Sequence, residues 1–64
     1  MDLTIKCCVV DDEPLARELI TGFVNKTPFL ELENAYSSAS EAIKSIISGK
    51  VDLVFLDIKM PELN

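Results

Sequence analysis

Ile5-Lys6-Cys7-Cys8-Val9-Val10-Asp11-Asp12-Glu13-Pro14 decides the fold. Apart from Lys6, residues 5–10 are all apolar. Such a run is long enough for a strand buried on both faces and too short for a core helix. The three acids and the proline that follow read as a helix start. Carboxylates favour the positive end of a helix dipole, and proline's missing N–H costs nothing in the first turn.

Working outward, Leu15, Leu19, Ile20, Phe23 and Val24 recur at helical spacing, with Arg17, Glu18 and Thr21 on the other face. These stripes are read as core. Thr27-Pro28 ends that helix, because the residue before proline avoids helical torsions. Leu30-Glu31-Leu32-Glu33 alternates with period two and Tyr36 keeps the phase, so a half-exposed strand follows, with Glu31 and Glu33 on a solvated face. Ser38 and Glu41 stand at capping-box spacing, with Ser40 as a rival cap. Ala39, Ala42, Ile43, Ile46 and Ile47 form a second amphipathic helix, closed by Ser48-Gly49-Lys50 with glycine at the C′ position. Val51 to Leu56 is a second apolar run; it delivers Asp57 and then a turn at Met60-Pro61.

The order β-α-β-α-β implies right-handed crossovers and a doubly wound parallel α/β sheet. Such sheets normally carry five or more strands. With the first strand between the second and third, Val51–Leu56 becomes an apolar edge that invites pairing. The expectation is a piece of a larger domain, or a chain completed by self-association.

Composition narrows the function. The chain has 64 residues, 48% hydrophobic and 27% charged, with a net charge of −5 and a pI near 4.4. A chain of this length hides only about 60% of its unfolded surface. Ordering costs of roughly 1.5 kcal/mol per residue nearly cancel the burial gain. The acidic balance disfavours direct nucleic-acid binding, and no apolar run is long enough for a membrane span. Histidine is absent, which removes imidazole catalysis and histidine-based zinc sites. Cys7 and Cys8 are adjacent, have no C-x-x-C spacing, and read as core residues pointing to opposite sheet faces. Reduced thiols and the lack of an export signal point to the cytoplasm. With Gly22 and Gly49 as the only glycines, there is no phosphate-binding glycine loop.

The chemistry gathers at the strand ends. Asp11 and Asp12 close the first strand and Asp57 closes the third. Parallel neighbours place these ends together at the crevice where open α/β sheets bind ligands. Converging carboxylates resist ionisation unless a cation is present, and hard oxygens with room for water suit Mg²⁺. A carboxylate beside that ion can attack phosphorus and form an acyl phosphate. Taken singly, Asp11-Asp12-Glu13 serves equally as a helix cap, and Asp57 as a turn residue. The conjunction carries the reading: an acidic pair, a lone Asp, and a proline four residues beyond it.

Residues 8–14 (Cys8-Val9-Val10-Asp11-Asp12-Glu13-Pro14) and 52–61 (Asp52-Leu53-Val54-Phe55-Leu56-Asp57-Ile58-Lys59-Met60-Pro61) resemble the signature stretches of receiver domains. These are the phosphoacceptor modules of bacterial two-component response regulators. Pro14-Leu15-Ala16 and Pro28-Phe29-Leu30-Glu31-Leu32 further resemble receivers joined to LytTR-type DNA-binding domains, which act in transcription regulation. The resemblance implies a flavodoxin-like receiver fold, with residues 1–64 as the N-terminal half of one domain. It implies that Asp11, Asp12 and Asp57 hold Mg²⁺, with Asp12 the more direct ligand of the acidic pair, and that Asp57 also accepts a phosphoryl group from the phosphohistidine of a sensor histidine kinase. It also implies that the Lys59 backbone carbonyl is a further metal ligand.

On this reading the chain is a phosphoacceptor and not an enzyme. Self-phosphorylation and autodephosphorylation are expected only of the complete domain. The family's Ser/Thr after the fourth strand, its fifth-strand lysine and its aromatic switch residue have no counterpart before Asn64, so weak Mg²⁺ binding, poor phosphorylation and lost switching are expected. A phosphohydrolase using Asp57 would want a second acid two residues on, where Lys59 stands. The rival reading is an assembly module with a vestigial acidic site, pairing through the third-strand edge.

Overall fold

The computed structural model describes residues 3–57. Lys59 and the expected Met60-Pro61 turn lie outside the described residues. Five elements follow in order: β1 (Ile5–Val10), α1 (Pro14–Asn25), β2 (Leu30–Tyr36), α2 (Ala39–Ile47) and β3 (Leu53–Leu56). They form one parallel sheet of order β2-β1-β3, as expected for a doubly wound α/β fold. β3 begins at Leu53 instead of Val51. Just before it, the Asp52 amide donates to the Lys6 carbonyl (2.6 Å) and the Asp52 carboxylate accepts from the Lys6 amide (3.1 Å). These bonds fix the β1–β3 register before the strand starts.

Cys7, Cys8 and Val9 in the central strand are wholly buried. Cys7 and Val9 pack with Val24 of α1, and Ile20, Leu30, Leu32, Ala35 and Phe55 close around them. Cys8 and Val10 pack with Ala42 of α2, flanked by Tyr36, Val51 and Val54. The adjacent thiols therefore serve opposite faces, as the alternation of a strand requires. Burial pushes both thiols above their ordinary pKa; for Cys8 the neighbouring Glu33 and then Cys7 add to the effect.

The second strand departs from simple alternation. Cys7 pairs with Leu32 but Cys8 pairs with Asn34, so Glu33 is an extra residue inserted opposite the ladder. A bulge of this kind shifts the side-chain phase by one. Leu30 and Leu32 accordingly join the α1 face, while Tyr36 joins the α2 face. Tyr36 does not keep the phase of Leu30, and Glu33 is not on a solvated face. The half-buried Glu33 carboxylate accepts from the Tyr36 hydroxyl (3.0 Å) and from Ser45 of α2 (3.1 Å), and the two hydroxyls lie 2.6 Å apart. A bulge that delivers a carboxylate beneath a helix needs such partners, because an unpaired buried charge is costly.

The helix stripes also need correction. Of the five α1 stripe residues, Val24 is buried and Ile20 half-buried, whereas Leu15, Leu19 and Phe23 are exposed. Ile43, Ile46 and Ile47 of α2 are exposed as well. A helix on a sheet buries one line of contact, and these stripes are wider than that line.

Both ends of α2 follow local chemistry. The Ser38 hydroxyl accepts from the Glu41 amide (3.4 Å), but the Glu41 carboxylate reaches past the cap residue to the Ser37 hydroxyl (2.7 Å) and amide (3.3 Å). Those bonds hold the Glu41 carboxyl below its ordinary pKa. At the other end Lys50 N–H donates to the Ser45 carbonyl (3.0 Å) and Gly49 N–H to the Ile46 carbonyl (3.2 Å). These are the two bonds of a Schellman motif, with Gly49 at φ 75°. No helix among the described residues is long and apolar enough to cross a membrane.

Gly49 is the residue whose torsion a side chain resists. Gly49→Ala should lower stability by about 1 kcal/mol. Urea denaturation of the two proteins, showing a lower midpoint with an unchanged slope, checks this.

Candidate functional site

The site is built where the parallel ladders run out. Val10 pairs with Tyr36 on one side and with Leu56 on the other. One residue further, the Asp11 amide donates to the Tyr36 carbonyl (3.1 Å) and the Asp57 amide donates to the Val10 carbonyl (3.2 Å). These two bonds bring Asp11 and Asp57 to the same carboxyl edge. Asp11, Asp12 and Asp57 then line one crevice with Ser37, Ser38 and Leu56. A second wall of the same region is formed by Ala16, Leu19, Ile20 and Phe55.

The three acids differ in environment. Asp11 is only 2% exposed. Its carboxylate accepts from the Glu13 amide (2.9 Å) and its carbonyl accepts from Arg17 Nη1 (2.8 Å). Asp12 and Asp57 are exposed. Helix α1 starts directly after this turn, so its positive end faces the acidic edge and favours anionic groups there. Glu13, the N-cap residue, makes no side-chain cap bond; the Asp11 carboxylate accepts from the Glu13 amide two residues on, an Asx turn that leads the chain into the helix.

The donor set fits Mg²⁺ in kind, being carboxylate oxygens in an open crevice where water can complete the coordination. Among the described residues, however, no three acids converge closely enough to hold a metal ion as they stand. Asp11 spends one carboxylate oxygen on the Glu13 amide. Of the residues singled out by sequence, Asp11, Asp12 and Asp57 share the crevice, and Lys59 falls outside the described residues.

Sequence reading placed Arg17 on the solvent side of α1 and read Ser38 only as a cap. Arg17 instead turns back to the end of β1, and both Ser37 and Ser38 border the crevice. The signal for Arg17 was a basic residue one turn into a helix that opens on acids.

Residues 7–64 match the family model described as the response regulator receiver domain. The chain is 40% identical over 60 residues to the transcriptional regulatory protein BtsR of Escherichia coli strain K12, covering 94% of this chain and 25% of that protein. It is 38% identical over 61 residues to a protein-glutamate methylesterase/protein-glutamine glutaminase of Geobacillus kaustophilus, covering 95% of this chain and 18% of that protein. A second protein of that kind, from Vibrio vulnificus, is 38% identical over 64 residues, or 100% of this chain and 19% of its own length. The chain thus spans a quarter or less of the length of these relatives. No solved structure gives a significant match.

These relatives correct one expectation. The chain was expected to be no enzyme, yet two proteins containing a closely similar segment are named as enzymes. The expectation rested on the phosphoacceptor role that the receiver resemblance implies, and the matched segment forms less than a fifth of these two proteins.

Asp11 secures the turn through a side-chain oxygen, so the oxygen and not the charge is what the turn needs. Asp11→Ala should cost about 1 kcal/mol of stability, and Asp11→Asn, which keeps an acceptor at Oδ1, should recover most of it. Thermal and urea unfolding of the pair check this.

Proposed function

Because the chain belongs to the response regulator receiver domain family, we propose that Asp57 accepts a phosphoryl group from the phosphohistidine of a sensor histidine kinase. In this step an Asp57 carboxylate oxygen forms a bond to phosphorus as the P–N bond breaks. The imidazole nitrogen keeps that electron pair, and an acyl phosphate results. The observation that carries the reading is the pairing of Val10 with Leu56, which sets exposed Asp57 beside Asp11 at one crevice.

Asp11, Asp12 and Asp57, with the Lys59 carbonyl, are the groups we assign to hold Mg²⁺. When bound, that ion would offset the charge on the transferred group's oxygens. Asp11 is held by its neighbours on three sides, so it fixes the turn. Asp12 is exposed and borders the crevice. The start of α1 adds a positive potential for the incoming anion. The names of the relatives support signalling to transcription as the setting. The resemblance at Pro14-Leu15-Ala16 supports a LytTR-type output domain, and the cytoplasm is the compartment this role requires.

A second reading, self-association, is favoured by a separate observation. β3 is the last strand of the described sheet on its side, and Leu53 and Leu56 within it are both exposed. An apolar edge of this kind pairs readily with another strand.

Intact-mass measurement after incubation with a small-molecule phosphodonor tests the first reading. The expected result is a slow, Mg²⁺-dependent gain of one phosphoryl group by the wild-type chain and none by Asp57→Asn. A folded wild-type chain that gains nothing, or an Asp57→Asn chain that gains as much, overturns it. For the second reading, sedimentation should show mass and stability rising together with concentration. A folded monomer persisting at micromolar concentration sinks it.

A further inference from the structure

We propose that Arg17 is a positioning residue that sets how Asp12 is presented at the acidic crevice; this rests on the Mg²⁺-dependent reading of that site. The starting point is the Asp11 carbonyl. The β1–β3 ladder ends with Asp57 N–H on the Val10 carbonyl, and the first backbone bond of α1 runs from Arg17 N–H to the Glu13 carbonyl (2.9 Å). The Asp11 carbonyl falls between strand and helix. Buried carbonyls need a partner, and the Arg17 guanidinium supplies one at 2.8 Å.

That bond reaches the next residue through covalent geometry. The Asp11 carbonyl and the Asp12 N–H belong to one planar peptide unit. Asp11 N–H is tied to Tyr36 and its side chain to the Glu13 amide. Fixing its carbonyl as well leaves the plane little freedom, so the direction in which the chain enters Asp12 is set. A half-buried arginine gives up considerable side-chain freedom to do this. Its forked, permanently charged head makes a stronger bond to a carbonyl than a neutral donor would.

A guanidinium bonded at the acidic turn also acts as a charge, and the two roles predict opposite signs. As a competing cation, Arg17 would weaken divalent-ion binding, and its removal would tighten it. As a positioning residue, its removal disorders the turn and weakens binding.

The test is a MgCl₂ titration of the whole chain followed by backbone amide shifts, which report fold and affinity together. The wild type should show saturable shifts at Asp12 and Asp57. Arg17→Ala should keep the native pattern elsewhere, bind Mg²⁺ about tenfold more weakly, as expected for a lost charge-assisted hydrogen bond, and exchange the Glu13 amide faster. Arg17→Lys, which keeps the charge but not the fork, should fall between them, and it carries the comparison if the alanine variant does not fold. Affinity unchanged or tightened in Arg17→Ala, or equal to wild type in Arg17→Lys, overturns the role of Arg17 and leaves the acidic site standing. An absence of saturable shifts in the wild type overturns the metal site itself and the positioning role with it.

Discussion

The structure depends on β1 being paired along both edges and covered on both faces. Cys7, Cys8 and Val9 have no exposure, and their backbone bonds run to β2 on one side and β3 on the other. A fully buried valine such as Val9 is worth about 1.5–3 kcal/mol, and the two buried cysteines beside it add to that in the short central strand. It tolerates small residues because two helices and two strands close on it. The paired cysteines suit that position, being small, apolar in behaviour and able to serve opposite faces.

From that constraint the acidic edge follows. A parallel sheet brings the carboxyl ends of its strands together, and hydrogen bonds that fix register fix which residues emerge side by side. Tyr36, Val10 and Leu56 lie abreast, so Ser37, Asp11 and Asp57 are the first residues beyond them. The repulsion expected among acids at such an edge is met by the start of α1 and by the Glu13 amide on the Asp11 carboxylate, while the Arg17 guanidinium holds the Asp11 carbonyl. Two acids stay exposed toward the crevice while the third is bound into the turn.

The bulge at Glu33 is the other organising feature. Without it, Leu30, Leu32 and Tyr36 would share a face, and α2 would lose the Tyr36–Ser45–Glu33 contact that fastens it to β2. The insertion moves the last part of the strand by one position, and Tyr36 then crosses to the α2 side. The same shift ends β2 with Tyr36 opposite Val10, which places Ser37 and Ser38 beside the crevice.

Element order, the parallel sheet, the opposed cysteines, the Ser38 cap and the Gly49 C′ position were legible from the residues, because each follows from local period, capping chemistry or torsional preference. The meeting of Asp11, Asp12 and Asp57 at one edge was legible too, since strand ends in a parallel sheet have one place to go. Only the tertiary structure decided the phase of β2 past Glu33, the part of each helix stripe that finds cover, and the inward turn of Arg17. A bulge leaves alternation intact in the sequence and changes it in space, because the inserted residue is recognised only against a partner strand. Arg17 likewise looks like any helical surface residue until the Asp11 carbonyl, which it bonds, stands within its reach.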